Sequence, residues 1–357
     1  MNKRLPELDG LRGFAALTVV ASHYLGESTG GFPLFDIGWL GVNVFFVLSG
    51  FLIGGIILDQ SERAGFFASF YFRRIARIFP IYFAVFLTVI FLARITAGHT
   101  WSDHPFSPTI YATFTVNFAE SFQGLGSVWL RPMWTLSVEE QFYLLLPVLI
   151  VATPRRILFP LLVSLWLAAL VCRGAFLSSN ATAAWDLLPC RMDLLLSGVM
   201  VALAWRKYDL SRYLLGFRLG WAACIVAMNI LAVWGGRNPV LLFMGSLTSV
   251  GISAFLLSLL YAAPEGRWVR ALWLRWFGQI SYCLYLVHQP VNGLLHGLLL
   301  NETASINSPA SVAVTVLAFA VSIAIAQLSW VLFEGPILRW AAAKNARFFS
   351  PAVMPAT

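Results

Sequence analysis

Arg12 and His23 stand eleven residues apart in the apolar run LDGLRGFAALTVVASHYL. At about 100° per residue they fall on nearly one helix face, roughly 16 Å apart along the axis. Histidine is suited to proton transfer near neutral pH. Arginine binds anions or stabilises developing negative charge. A lone histidine on an apolar face is more often structural; the pair on one face points to chemistry. FYFRRIARIFPIYF adds Arg74 and Arg77 at i and i+3, with Arg73 adjacent. That cluster suits phosphate, which guanidinium groups grip by two parallel hydrogen bonds; anchoring at lipid headgroups is the other reading. In RPMWTLSVEEQFYLLLPV, Glu139 and Glu140 interrupt an apolar pattern. Two adjacent carboxylates cannot both face lipid cheaply, so at least one faces a cavity or an arginine. Arg191 and Asp193 form a polar pair in PCRMDLLLSG, as a structural ion pair or a substrate contact. ISYCLYLVHQP sets Ser281, Tyr282, Tyr285 and His288 on one polar stripe, and FEGP puts Glu334 at a helix end.

These groups need a scaffold, and the composition says which. Of 357 residues, 59% are hydrophobic and 11% charged, and the mean hydropathy is +0.78. Soluble domains carry roughly 25% charged residues, so this chain cannot cover a water-facing surface. Apolar runs long enough to cross a bilayer recur at about 9–26, 38–58, 78–96, 133–153, 157–177, 188–205, 213–234, 240–262, 277–299 and 311–333. The expectation is an all-α polytopic membrane protein of about ten transmembrane helices. Residues 106–130 are mixed and predict a short re-entrant or interfacial helix. Arg12 interrupts the first run, so a cleavable signal is not expected.

The net charge is +8. With both termini inside, 19 of the 24 basic residues fall in cytoplasmic segments, including Lys3, Arg4, Arg267 and Arg347; Arg94, Arg131, Arg173, Arg191 and Arg237 do not. The positive-inside rule therefore explains the basicity, and no nucleic-acid partner is expected. Cys172, Cys190, Cys224 and Cys283 lack CxxC spacing. Neither a disulfide framework nor a metal site is implied.

Seven segments together resemble the membrane-bound acyltransferase 3 family: LDGLRGFAALTVVASHYL, GVNVFFVLSGFLI, FYFRRIARIFPIYF, MWTLSVEEQFYLLLP, RMDLLLSG, ISYCLYLVHQP and FEGPIL, in family order along nearly the whole chain. The resemblance implies transfer of an acyl group, commonly acetyl, from cytoplasmic acyl-coenzyme A to envelope sugars. It implies catalytic roles for Arg12 and His23, and a donor role for Arg74 and Arg77. Ser49 and Gly50 match an SGF segment expected to pack beside the first helix. Glu139 or Glu140 matches the Val-Glu-Glu segment, with Thr135 in place of the usual Ser. Glu334 matches a Glu-Lys-Pro motif in which Gly335 replaces the Lys. A membrane domain over 1–340 with a short tail over 341–357 is expected, in the stand-alone form without an SGNH-type esterase domain.

The mechanism these readings predict places donor phosphates beside Arg73, Arg74 and Arg77, with the thioester threaded inward to His23. His23 acts as general base on an acceptor hydroxyl or carries a transient acyl group. Glu139 or Glu140 orients its imidazole. The expected partners are acyl-CoA, a sugar or glycolipid acceptor and the lipid of the inner membrane, with no permanently bound cofactor. Two other readings are a flippase for an envelope polysaccharide intermediate, against which the lack of internal repeats counts, and a non-catalytic scaffold.

Overall fold

The computed structural model describes residues 5–26, 31–32, 35, 38–234, 237–261 and 268–349. Lys3, Arg4, Arg267, most of the loop at 27–37 and the tail beyond 349 lie outside these, as do the side chains of Arg237 and Arg347. In hydrocarbon every backbone polar group must be satisfied within its own segment, which leaves helices for a chain of this hydropathy. The described residues form helices and no strand. They are α1 (Pro6–Ala21), α2 (Gly38–Gln60), α3 (Phe66–Ile95), α4 (Pro108–Ala112), α5 (Val116–Gln123), α6 (Met133–Ala152), α7 (Arg155–Leu177), α8 (Ala181–Asp186), α9 (Leu188–Lys207), α10 (Leu214–Trp234), α11 (Arg237–Tyr261), α12 (Leu272–Leu300), α13 (Pro309–Ser329) and α14 (Gly335–Phe349).

Ten of these match the ten expected runs. Eight helical segments are long and apolar enough by themselves to cross a membrane. The two helices outside that set that match expected runs, α1 and α12, carry Arg12 and His288, and His23 follows α1 directly. The segment expected to be re-entrant or interfacial is α4 and α5. On α5, Phe118 and Phe122 face outward while Asn117 and Glu120 are buried.

Two helix pairs pack backbone against backbone, as small residues allow in membranes. Gly13 and Gly278 bring α1 onto α12: a Cβ on Gly278 would lie 1.9 Å from the carbonyl oxygen of Asp9. Gly50 and Gly198 bring α2 onto α9, where a Cβ on Gly50 would lie 1.8 Å from the oxygen of Leu195. The SGF segment thus seats its glycine against α9; the side of α2 facing α1 is marked by Gly41 against Ala15. Around this core, α3, α7 and α13 turn large apolar side chains outward, among them Phe91, Val171 and Val316.

Contacts between helix ends fix the sidedness. At one end Arg206 pairs with Asp59 at 2.7 Å, Arg155 with Glu62 at 3.5 Å, and Arg270 Nε donates to Glu7 at 2.6 Å. Ser69 donates to Asn345 there at 2.8 Å, so the start of α1 and α14 share this end. It carries the basic residues and is the cytoplasmic end by the positive-inside rule. At the other end Trp101 donates to Asn301 at 3.0 Å, and Asp103 accepts from the backbone N–H of Val128 at 2.9 Å. α14 continues through residue 340, so the residues expected to begin a tail are helical as far as 349 and pack against α3.

Candidate active site

α3 begins at Phe66, twelve residues before the expected span, and this extension puts the arginine cluster on a helix. Arg74 and Arg77 then face one way. With Arg12 from α1 and Glu139 from α6 they line a cavity of about 190 Å³. Its walls are apolar, built by Val42, Phe45, Phe46 and Leu48 of α2, and Ser49, Thr135, Tyr143, Ser281, Tyr282 and Tyr285 add hydroxyls. Three guanidinium groups facing one carboxylate make this an anion-attracting site. Ser49 and Tyr143 hydrogen-bond each other across it. Arg73 does not line the cavity; its Nη2 donates to Gln60 Oε1 at 2.7 Å. Of the adjacent carboxylates Glu139 lines the cavity and Glu140 does not.

In the cavity wall Thr135 Oγ1 and the Tyr285 hydroxyl share a hydrogen bond of 2.9 Å. The Tyr285 ring lies 6.0 Å from that of His288. His23 lies in this next layer and is not part of the cavity wall. It sits in a π-helical turn, Ser22–Gly26, that follows α1. This wider turn changes the phase of the helix, so the Arg12 and His23 positions are not joined by one regular α-helix; such bulges recur at functional sites. Tyr24 fastens the turn, donating to the His288 carbonyl at 2.7 Å and contacting Ser322 at 3.2 Å. A second π-helical turn, Trp330–Glu334, holds the buried Glu334, which accepts from Ser329 at 2.9 Å.

His23 Nδ1 lies 2.7 Å from His288 Nε2, with the two rings coplanar to 2°. His288 Nδ1 lies 3.1 Å from the Leu284 carbonyl. A carbonyl only accepts, so Nδ1 of His288 carries its hydrogen. In the neutral pair Nε2 of His288 then accepts from Nδ1–H of His23. This chain assigns the basic nitrogen of His23 to Nε2. A carboxylate was expected to orient the imidazole; His288 does so instead, 265 residues along the chain.

A family profile described as an acyltransferase domain matches residues 5–327. The chain belongs to the acyltransferase 3 family. It is 28% identical over 369 residues to the peptidoglycan O-acetyltransferase OatA of Listeria monocytogenes, covering 94% of this chain and 56% of that protein. It is 26% identical over 317 residues to the O-acetyltransferase OatA of Staphylococcus aureus (strain NCTC 8325 / PS 47), covering 80% of this chain and 50% of that one. The chain spans about half the length of these curated relatives. No solved structure gives a significant match.

Within this acyltransferase 3 domain a third polar layer lies toward the outer end. The sequence predicts a pair of Arg191 with Asp193; in the structure Arg173 Nη2 donates to Asp193 Oδ2 at 2.7 Å, and Ser246 donates to the same oxygen at 2.9 Å. Residues two apart on a helix do not face each other, which separates Arg191 from Asp193. Arg191 donates from Nη2 to Asn43 at 2.5 Å and lies 4.4 Å over the Trp185 ring. Arg173, Asn43, Trp185, Tyr24 and Thr135 were not among the expected site residues. Tyr24 and Thr135 adjoin motifs that were; the others make contacts that no local pattern encodes.

Proposed function

We propose that this protein is an O-acyltransferase of the inner membrane, moving an acyl group, most simply acetyl, from cytoplasmic acyl-coenzyme A to a hydroxyl of an envelope carbohydrate or glycolipid. One observation carries the reading: an arginine-lined cavity lies one side-chain layer from a histidine whose basic nitrogen is set by a hydrogen-bond chain. Ligand sites for drug-sized molecules run to roughly 300–1,000 Å³. A cavity of about 190 Å³ suits a thin chain such as a pantetheine arm, with the nucleotide phosphates held at Arg12, Arg74 and Arg77. The relatives' names, which specify O-acetyl transfer and, in one case, peptidoglycan, support a carbohydrate acceptor.

In this reading His23 Nε2 removes the proton of the acceptor hydroxyl as its oxygen attacks the thioester carbonyl carbon. The imidazolium that forms keeps its Nδ1–H bond to His288. Collapse of the tetrahedral oxyanion breaks the C–S bond, and the proton on His23 passes to the departing thiolate. Thr135 and Tyr285 must part, or the acyl group must pass beside them, for the two layers to communicate.

The test is the purified protein in liposomes with labelled acetyl-coenzyme A and a panel of sugar acceptors, beside His23→Ala. A general base contributes about 10²–10⁴-fold, so the variant should lose transfer by that factor and keep its fold. Transfer by His23→Ala at near wild-type rate would end the base assignment. Absence of thioester consumption by wild type with every donor and acceptor would favour a transport role.

A further inference from the structure

Arg191 is fully buried, yet among the described residues its Nε and Nη1 have no hydrogen-bond acceptor. Leaving charged donors unpaired in the interior is costly. Its surroundings point to a ligand. Trp185, half-buried, offers its ring to the guanidinium at 4.4 Å. The next residue, Asp186, ends α8 and is 4% exposed; Glu120 on α5 is 3% exposed. Neither carboxyl group accepts a hydrogen bond among the described residues. Asp186 lies within electrostatic reach of both Arg131 and Arg191 but within ion-pair distance of neither. Arg191 thus has a carboxyl group nearby that closes no ion pair with it, and keeps two buried donors for a group outside the described residues.

We propose that Arg191, Trp185, Asp186 and Glu120 form the acceptor site, and that it takes an uncharged, hydroxyl-bearing sugar ring. This rests on the acyltransferase reading. Position supports it: Arg191 lies 5.6 Å over the ring of Phe46, and the same ring is part of the donor cavity wall. One aromatic side chain therefore separates the two sites. Arg131, exposed at the rim, lies within electrostatic reach of His23. Chemistry selects the ligand class. Sugar hydroxyls both donate and accept, matching carboxyl groups beside unpaired N–H groups, and the Trp185 ring suits the apolar side of a sugar. A phosphate or carboxylate would meet Arg191 but be opposed by Asp186.

The experiment uses the full chain in liposomes. Arg191→Gln, Arg191→Lys and Asp186→Asn are compared with wild type for acceptor KM, kcat and acetyl-coenzyme A affinity, using uncharged oligosaccharides and their uronic-acid counterparts. We expect acceptor KM to rise at least about tenfold in Arg191→Gln and Asp186→Asn, kcat to change less, donor affinity to stay level, and Arg191→Lys to recover part of the loss. Unchanged acceptor KM, or equal weakening of donor and acceptor, would overturn the site. A preference for the uronic acids would overturn the uncharged ligand class. Saturation-transfer NMR with the same uncharged sugars separates the two levels: binding lost in Arg191→Gln supports the site even where no thioester is consumed, and equal binding by both proteins refutes it.

Discussion

Arg173 and Arg191 are both fully buried at the outer end of the core and are held in opposite ways. Arg173 meets a carboxylate, the Cys190 and Leu242 carbonyls and a hydroxyl. Arg191 meets one amide oxygen and two ring faces. The cytoplasmic end repeats the contrast: Arg73 is taken up by Gln60, while Arg74 and Arg77 face a cavity. A guanidinium satisfied by protein holds helices together; one left partly unsatisfied is available to a substrate. On this view five arginines in the interior and its margin sort by their partners into two held by protein groups, Arg173 and Arg73, and three that keep free donors or face a cavity, Arg191, Arg74 and Arg77, where sequence position mixes them.

The most direct attempt to break the comparison is to remove each buried arginine in turn. Arg173→Gln strands Asp193 in the interior. Breaking a buried pair costs about 3–5 kcal/mol, so this variant should lose most of its folded yield or thermal stability. Arg191→Gln strands no paired charge and should unfold close to wild type. Thermal unfolding of both in one detergent decides it; equal losses would erase the distinction.

At the cytoplasmic end the same contrast is read in affinity. A hydrogen bond to a charged group contributes roughly 1.5–3 kcal/mol, which is about 10–100-fold in a binding constant. Arg74→Gln and Arg77→Gln should weaken acyl-coenzyme A binding by that range, and Arg73→Gln by less than about threefold. Titration calorimetry on the three variants checks it. A loss in Arg73→Gln as large as the others would return that residue to the donor site.

How much of this was legible beforehand depends on the range of the contact. The ten long helices follow from apolar runs, which are local. Arg12, Glu139 and Tyr285 are visible as polar groups where lipid is expected, Arg74 and Arg77 as a basic pair at i and i+3 just before a span, and the five meet in one cavity. The choice of Glu139 over Glu140 was not visible, because neighbouring residues differ only in which helix they face. The π-helical turn at His23 has no signal in Ser22–Gly26; it accompanies the bond between Tyr24 and the His288 carbonyl, made across 264 residues. Arg173 and Glu120 carry no local signal, since each acquires meaning only from residues on other helices.

Whether the outer cluster is kept for a ligand at a cost to the fold can be read from Glu120. Glu120 is on α5, outside the membrane-spanning segments. Burial, with the charge of Asp186 adding to it, pushes its carboxyl up to about 8. An unfolded glutamate titrates near 4.3. The folded state thus holds the proton more tightly than the unfolded state. Stability contributed by this group is full below about 4.3 and is lost as pH rises toward 8, after which the loss is constant. Glu120→Gln cannot ionise and escapes that loss. Its apparent Tm should match wild type at pH 5 to within a few degrees, exceed it by a growing margin to pH 8, and keep that margin at pH 9. A carboxyl retained against such a gradient, where glutamine would be more stable, has a use other than folding. If the two proteins lose Tm in parallel from pH 5 to pH 9, Glu120 is not held under strain, and the outer layer becomes as structural as the Arg173 pair beside it.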